Sequence, residues 1–170
     1  MSVFCGKNAA KMFKKRVIIN NQHIMNNLGG FKRVELLLVD EVHVFARNGN
    51  RVKIERDGEF TRHLPLHDES PSLSASPQKD EAGTIFEHKC TIYLRSRVMS
   101  HQLIELLEQA CIRGCILIAT TNNNELRVFG SKQYPLHGSL TENYGSRRSD
   151  LHRHELYLTS HNLHPELALQ

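Results

Sequence analysis

Four of the chain's eleven histidines, His152, His154, His161 and His164, lie close together near its C-terminal end. On an extended strand, His152 and His154 would project from one face about 6–7 Å apart, a spacing that suits chelation of zinc or nickel. The run contains neither HExxH nor a zinc-finger pair, and no cysteine is near it in sequence. Surface histidines bonded to water or to carbonyls are the simpler reading, so no metal ligand is assigned. His63, His67 and His101 stand apart, beside expected loops or caps. The carboxylates build no better site. Asp40 and Glu41 face opposite ways on an expected strand, while Asp68-Glu69 and Asp80-Glu81 fall in a polar loop, a poor platform for acid–base work. GxSxG, Walker and GxGxxG motifs are absent. No catalytic or cofactor-binding residue follows from these patterns, and no cofactor is expected.

Basic residues offer a different chemistry. Lys14-Lys15-Arg16 and Arg147-Arg148, with Arg153 beyond, are short clusters of the kind that contact phosphate. The net charge of +4 points mildly toward a polyanionic partner. Yet the one predicted helix carries only Arg113 at its end, and no aromatic RNA-binding strand is evident. Arg147, Arg148 and Arg153 are therefore candidates for contact with nucleic acid or a channel, with a solvated basic surface as the plain alternative. The four cysteines, Cys5, Cys90, Cys111 and Cys115, show no CxxC spacing and read as reduced, mostly buried thiols.

The elements that must position these groups centre on residues 83–130. Leu103, Leu106, Leu107, Ala110 and Cys111 recur with helical period, which predicts an amphipathic helix over 100–112. Ser100 can cap its first turn, Arg113 favours its C-terminal dipole, and Gly114 can end it. The apolar run 115–121 is too short for another helix and reads as a buried strand, returning after Asn122-Asn123-Asn124 as a strand at 125–130. A long strand precedes the helix at 84–97. Upstream, 33–47 reads as one long strand, Asn48-Gly49 as a hairpin turn, 51–56 as its return and 59–64 as a third strand. Downstream, 151–160 is the last predicted strand, after an excursion with a short strand near Leu140; the apolar tail ending in Leu167 and Leu169 reads as tethered to this fold or to a neighbouring subunit.

These patterns predict one α+β domain over 1–170: an antiparallel sheet with one main amphipathic helix packed on it, extended loops and a β-hairpin. Residues 1–16 read as an N-terminal arm, with a short strand at 16–20. Residues 65–82, with three prolines and four serines, read as a flexible loop. Hydrophobic content of 39% and charge of 24% are ordinary for a soluble protein. No secretory leader is read at the N-terminus, and no run suits a membrane span, so synthesis in the cytoplasm without a membrane partner is expected.

One resemblance adds a function class. The run Leu126-Arg127-Val128-Phe129-Gly130-Ser131-Lys132-Gln133-Tyr134-Pro135-Leu136, followed by residues 150–169, resembles small virion proteins of tailed bacteriophages that infect Bacteroides-type hosts, including crAss-like phages. Gly130, Ser131, Lys132, Pro135 and Leu136 fill a G-[ST]-K-x-x-P-L turn; an Asp150-led strand follows, and His164-Pro165 closes the chain. The likeness covers about half the chain and carries no catalytic residue. It implies a non-enzymatic, homo-oligomeric ring in the neck or tail. The implied partners are identical subunits, other neck or tail proteins, and DNA passing through the channel. The meander at 33–64 and the stretch at 65–82 depart from a plain tail-terminator protein. A small basic nucleic-acid-binding protein, and an enzyme or metal-binding protein, are the alternatives.

Overall fold

A computed structural model describes residues 29–56, 62–67, 71–80, 83–144 and 152–169. The expected arm at 1–16 and strand at 16–20 lie outside the described residues, as do Cys5, Asp57, Gly58, Arg147 and Arg148. In chain order the elements are β1 (Phe31–Leu38), β2 (Val42–Asn48), β3 (Arg51–Arg56), β4 (Ser72–Asp80), β5 (Gly83–Arg95), α1 (His101–Arg113), β6 (Cys115–Thr121), β7 (Leu126–Phe129), β8 (His137–Asn143), β9 (Arg153–Asn162) and β10 (Leu167–Leu169). They form two sheets where the sequence suggested one. The first has six strands in the order β1-β6-β7-β10-β3-β2, and the second has four in the order β4-β5-β9-β8. All pairings are antiparallel except that of β10 with β3. The fold is thus mainly β with one α-helix among the described residues. No helix among them is long and apolar enough to cross a membrane.

β6 is buried on both faces, which is why its sequence is apolar without alternation. Cys115, Leu117 and Ala119 join a core with Cys90, Ile92 and Leu94 of β5, Leu156 and Leu158 of β9, and Leu107, Ala110 and Cys111 of α1. Ile116 and Ile118 face the other way, into a second core with Leu37, Val42, Val52, Val128 and Leu167. Val42 and Val52 belong to β2 and β3 at the far side of the same sheet, so the sheet must curl to bring them over the second face of β6. Burying a side chain such as Ile116 or Leu117 contributes about 1.5–3 kcal/mol each. The helix forms as its spacing predicts: Ser100 Oγ accepts from the Leu103 N–H at 3.2 Å, and the Gly114 N–H reaches Ala110 O at 3.0 Å.

Three sequence expectations change. The single strand at 33–47 is two strands, β1 and β2, at opposite edges of the six-stranded sheet, separated by a 3₁₀ turn at Val39–Glu41. The reason lies in the partner. β1 pairs with β6 only as far as Leu38↔Cys115, the Val39 N–H bonds Gly114 O at 3.3 Å, and past that point the neighbouring chain is the helix end. Arg62 then clamps Glu41 with two hydrogen bonds of 2.5 and 2.6 Å. Secondly, residues 65–82 are not a loop throughout, since β4 pairs with β5 from Ser72↔Thr91 to Asp80↔Gly83. Its alternation is carried by small residues: Leu73 and Ala75 are half-buried while Ser72, Ser74 and Ser76 are exposed. Pro77 fits because β4 is an edge strand, with one side free of ladder bonds. Thirdly, the described part of the expected strand at 59–64 makes only bridges: Leu36 N–H to Arg62 O, Leu64 N–H to Val34 O, and Glu35↔His63. This segment continues to Leu66↔Leu94 and so crosses from one sheet to the other.

On β8, a Cβ added at Gly138 would lie 1.8 Å from Tyr157 O of β9. Any side chain there must separate the two strands. Gly138→Ala should therefore cost about 3 kcal/mol in urea denaturation. Gly29→Ala, which meets nothing within 4 Å, should stay within about 0.5 kcal/mol of wild type.

Candidate functional site: a polar clasp and a histidine–carboxylate rim

The turn between β7 and β8 is folded by its own polar atoms. Gly130 takes φ 80°, a backbone state that L side chains rarely adopt. The Ser131 N–H donates to Tyr134 O and the Tyr134 N–H to Ser131 Oγ, both at 3.0 Å. Pro135 then leads into Leu136, which exchanges two backbone hydrogen bonds of 2.8 and 2.9 Å with Cys115 at the start of β6.

Buried polar side chains from the other sheet close over this turn. Ser160 Oγ of β9 donates to Tyr134 O at 2.8 Å, and Asn162 Nδ2 reaches the same oxygen at 3.3 Å. Asn162 Nδ2 also donates to Ser160 Oγ at 2.9 Å, while Asn162 Oδ1 accepts from Ser131 Oγ at 3.0 Å. His88 of β5, fully buried, accepts the Gly130 N–H on Nδ1 at 3.0 Å. That bond places its proton on Nε2, which donates to His164 O at 3.1 Å. Burial holds the His88 imidazole below its ordinary pKa of 6.5, opposed by the bond to the His164 carbonyl. The clasp therefore ties β5 and β9 of one sheet to the end of β7 in the other, and to the segment that carries the chain into β10.

A second cluster lies at the rim of the β8–β9 pair. Cross-strand partners run outward from apolar to polar: Leu140↔Leu156, then Glu142↔His154. Beyond them Tyr144 and His152 stack, with ring centroids 4.8 Å apart. Glu142 Oε1 receives His152 Nε2 at 2.8 Å and faces His154 Nε2 at 3.8 Å, while Oε2 accepts the Tyr144 hydroxyl at 2.7 Å. The Tyr144 and His152 bonds, in that order, hold the Glu142 carboxyl below the usual range, and Tyr144 is raised in turn. His154 is 6% exposed, with Nδ1 2.8 Å from Ser96 Oγ.

Of the candidate basic residues, Arg153 is the one within the described structure. Arg153 lies over the Tyr93 ring, 4.0 Å from its centroid, and pairs with Glu155 at 3.2 Å. Arg147 and Arg148 fall outside the described residues. The four C-terminal histidines also divide: His152 and His154 share the rim, His164 joins the clasp through its carbonyl, and His161 is exposed elsewhere on β9. Cys90, Cys111 and Cys115 are buried free thiols, Cys115 Sγ donating to Leu136 O at 3.7 Å, with burial pushing each thiol up. Sequence reasoning missed His88, Ser160 and Asn162, although parity held a signal. His88 shares its face of β5 with Cys90, Ile92 and Leu94, and Ser160 and Asn162 share theirs with Leu156 and Leu158. A polar residue on the buried parity of a strand marks an internal hydrogen-bond network.

No known family model, curated protein or solved structure matches this chain.

His88→Leu would strand the Gly130 N–H and the His164 carbonyl, at about 1–3 kcal/mol for each buried group. Urea denaturation should show a loss of about 2–4 kcal/mol at pH 7.5. The pH dependence has a definite sign. A histidine whose folded pKa is depressed is protonated preferentially in the unfolded chain, so its contribution is intact above the ordinary value of 6.5 and declines below it. Wild-type stability should fall between pH 7 and pH 5, and His88→Leu should show a shallower fall.

Proposed function

We propose that this chain is a structural virion protein, a subunit of a homo-oligomeric ring in the neck or tail of a tailed bacteriophage. In this reading its role is architectural rather than catalytic. The observation that carries the reading is where the residues of the resemblance come together. Gly130 and Ser131 of the G-[ST]-K-x-x-P-L turn, and the carbonyl of the closing His164, meet in one buried clasp. What supports the reading is that these residues join the two sheets.

Strand edges provide the means of assembly. β4 and β8 flank the four-stranded sheet, and β2 ends the six-stranded one. An outer strand can add a strand from a neighbouring subunit, and repeated head-to-tail contacts close a ring. Beside the clasp, Phe45, Tyr134 and Leu163 line a cleft of about 320 Å³ with Arg47 and Lys132, and Leu163 is 62% exposed. Such a surface suits a neighbouring neck or tail protein. Arg147 and Arg148 would supply charge toward DNA in the channel, and the protein would reside in the virion after synthesis in the host cytoplasm.

Quantitative mass spectrometry of gradient-purified particles tests this directly. The chain should be present at a fixed copy number that is a small multiple of one closed ring, and light scattering of the isolated protein should find an oligomer at high concentration. Absence from particles would contradict the proposal.

A further inference from the structure

We infer that the cleft beside the clasp receives the solvent face of α1 from a second copy of this chain. The inference rests on the ring reading above and names the contact that would build it. Two cations are held in the cleft by backbone carbonyls. Arg47 Nε donates to Gly49 O at 2.8 Å and Lys132 Nζ to His43 O at 3.0 Å, which fixes both side chains beside Phe45, Tyr134 and Leu163. Among the described residues, no carboxylate lines this cleft or pairs with either cation. The surface is therefore apolar and positive together.

The complementary surface lies on α1. Glu105, Glu108 and Ile112 fall at i, i+3 and i+7, on one stripe of the helix, and all three are exposed. Ile112 is 79% exposed, the most of any large hydrophobic side chain among the described residues. There it adds nothing to the core, and a β-branched residue does little for an exposed helical turn. Glu108 pairs with no cation among the described residues, while Glu105 meets His101 at 3.2 Å. An apolar side chain one turn from an unpaired carboxylate matches a cleft that sets Leu163 and Tyr134 beside Arg47 and Lys132. Ile112 would pack on Leu163 and Tyr134, which are 62% and 40% exposed, with Glu108 toward the two cations. Stripe and cleft are different surfaces of one chain. Each copy thus offers both, and the contact can repeat from subunit to subunit.

Sedimentation velocity of the full-length chain over a concentration series at pH 7.5 tests the contact. Wild type should self-associate, and more weakly at high salt, which screens the charged part. Glu108→Lys and Ile112→Ser, both at exposed helix positions, should keep the fold by circular dichroism and raise the dissociation constant about tenfold or more. Glu108→Lys combined with Lys132→Glu should recover most of the lost affinity, which damage to the fold by either change would not do. The inference is overturned if wild type stays monomeric, or if Glu108→Lys and Ile112→Ser associate as wild type does. In that second case, a response to Lys132→Glu alone would mean that the cleft takes some other segment. Association that persists through every variant would remove this contact and leave the ring reading standing, because copy number in particles decides that separately.

Discussion

A single carbonyl, Tyr134 O, accepts hydrogen bonds from the Ser131 N–H, Ser160 Oγ and Asn162 Nδ2. The rest of the architecture depends on that convergence. Two sheets that meet over an apolar core can slide, because hydrophobic contact is non-directional. A buried polar group without a partner costs far more than a typical hydrogen bond contributes, so a network that is satisfied in only one arrangement fixes that arrangement. Ser131, Ser160 and Asn162 satisfy one another only when β9 stands beside the turn after β7. His88 adds the same condition for β5.

The clasp works with β6. That strand holds one core against the helix and the four-stranded sheet, and a second against the curled part of its own sheet. Leu136 bonds to Cys115 at the head of β6, and a Cβ on Gly114 would meet Pro135 at 2.8 Å. The turn is therefore wedged between the start of the central strand and the polar end of the buried face of β9. The segment 163–166 carries the constraint onward, since His164 O is held by His88 and the chain then enters β10 between β7 and β3. The tail that looked tethered in the sequence is anchored within this fold, with Leu167 1% exposed.

Local patterns were legible where local energetics decide. The helix, its serine cap, β6 and the hairpin return at Arg51–Arg56 follow from period and turn chemistry. The division of 33–47 was not legible, because what ends β1 is the length of its partner, more than seventy residues away in sequence. β4 was hidden by small, polar side chains whose alternation has little amplitude. The parallel pairing of β10 with β3 depends on the curl of the sheet and leaves no local mark. The clasp was half legible: the turn residues stood out, but the side chains that hold them had to be found on the buried parity of distant strands. Glu142 gained its meaning only through the register of β8 on β9. That register also brings His152 and His154 to one carboxylate, which their spacing alone did not show.

Native-state hydrogen exchange, resolved by amide, measures the clasp most directly. If the two sheets are locked through it, the amides of Gly130, Ser131 and Tyr134 should exchange only with global unfolding, at the same free energy as those in the centre of β6. Exchange of these three amides as fast as that of the Gly49-Asn50 turn, while β6 remains protected, would contradict the account and leave apolar packing as what joins the sheets.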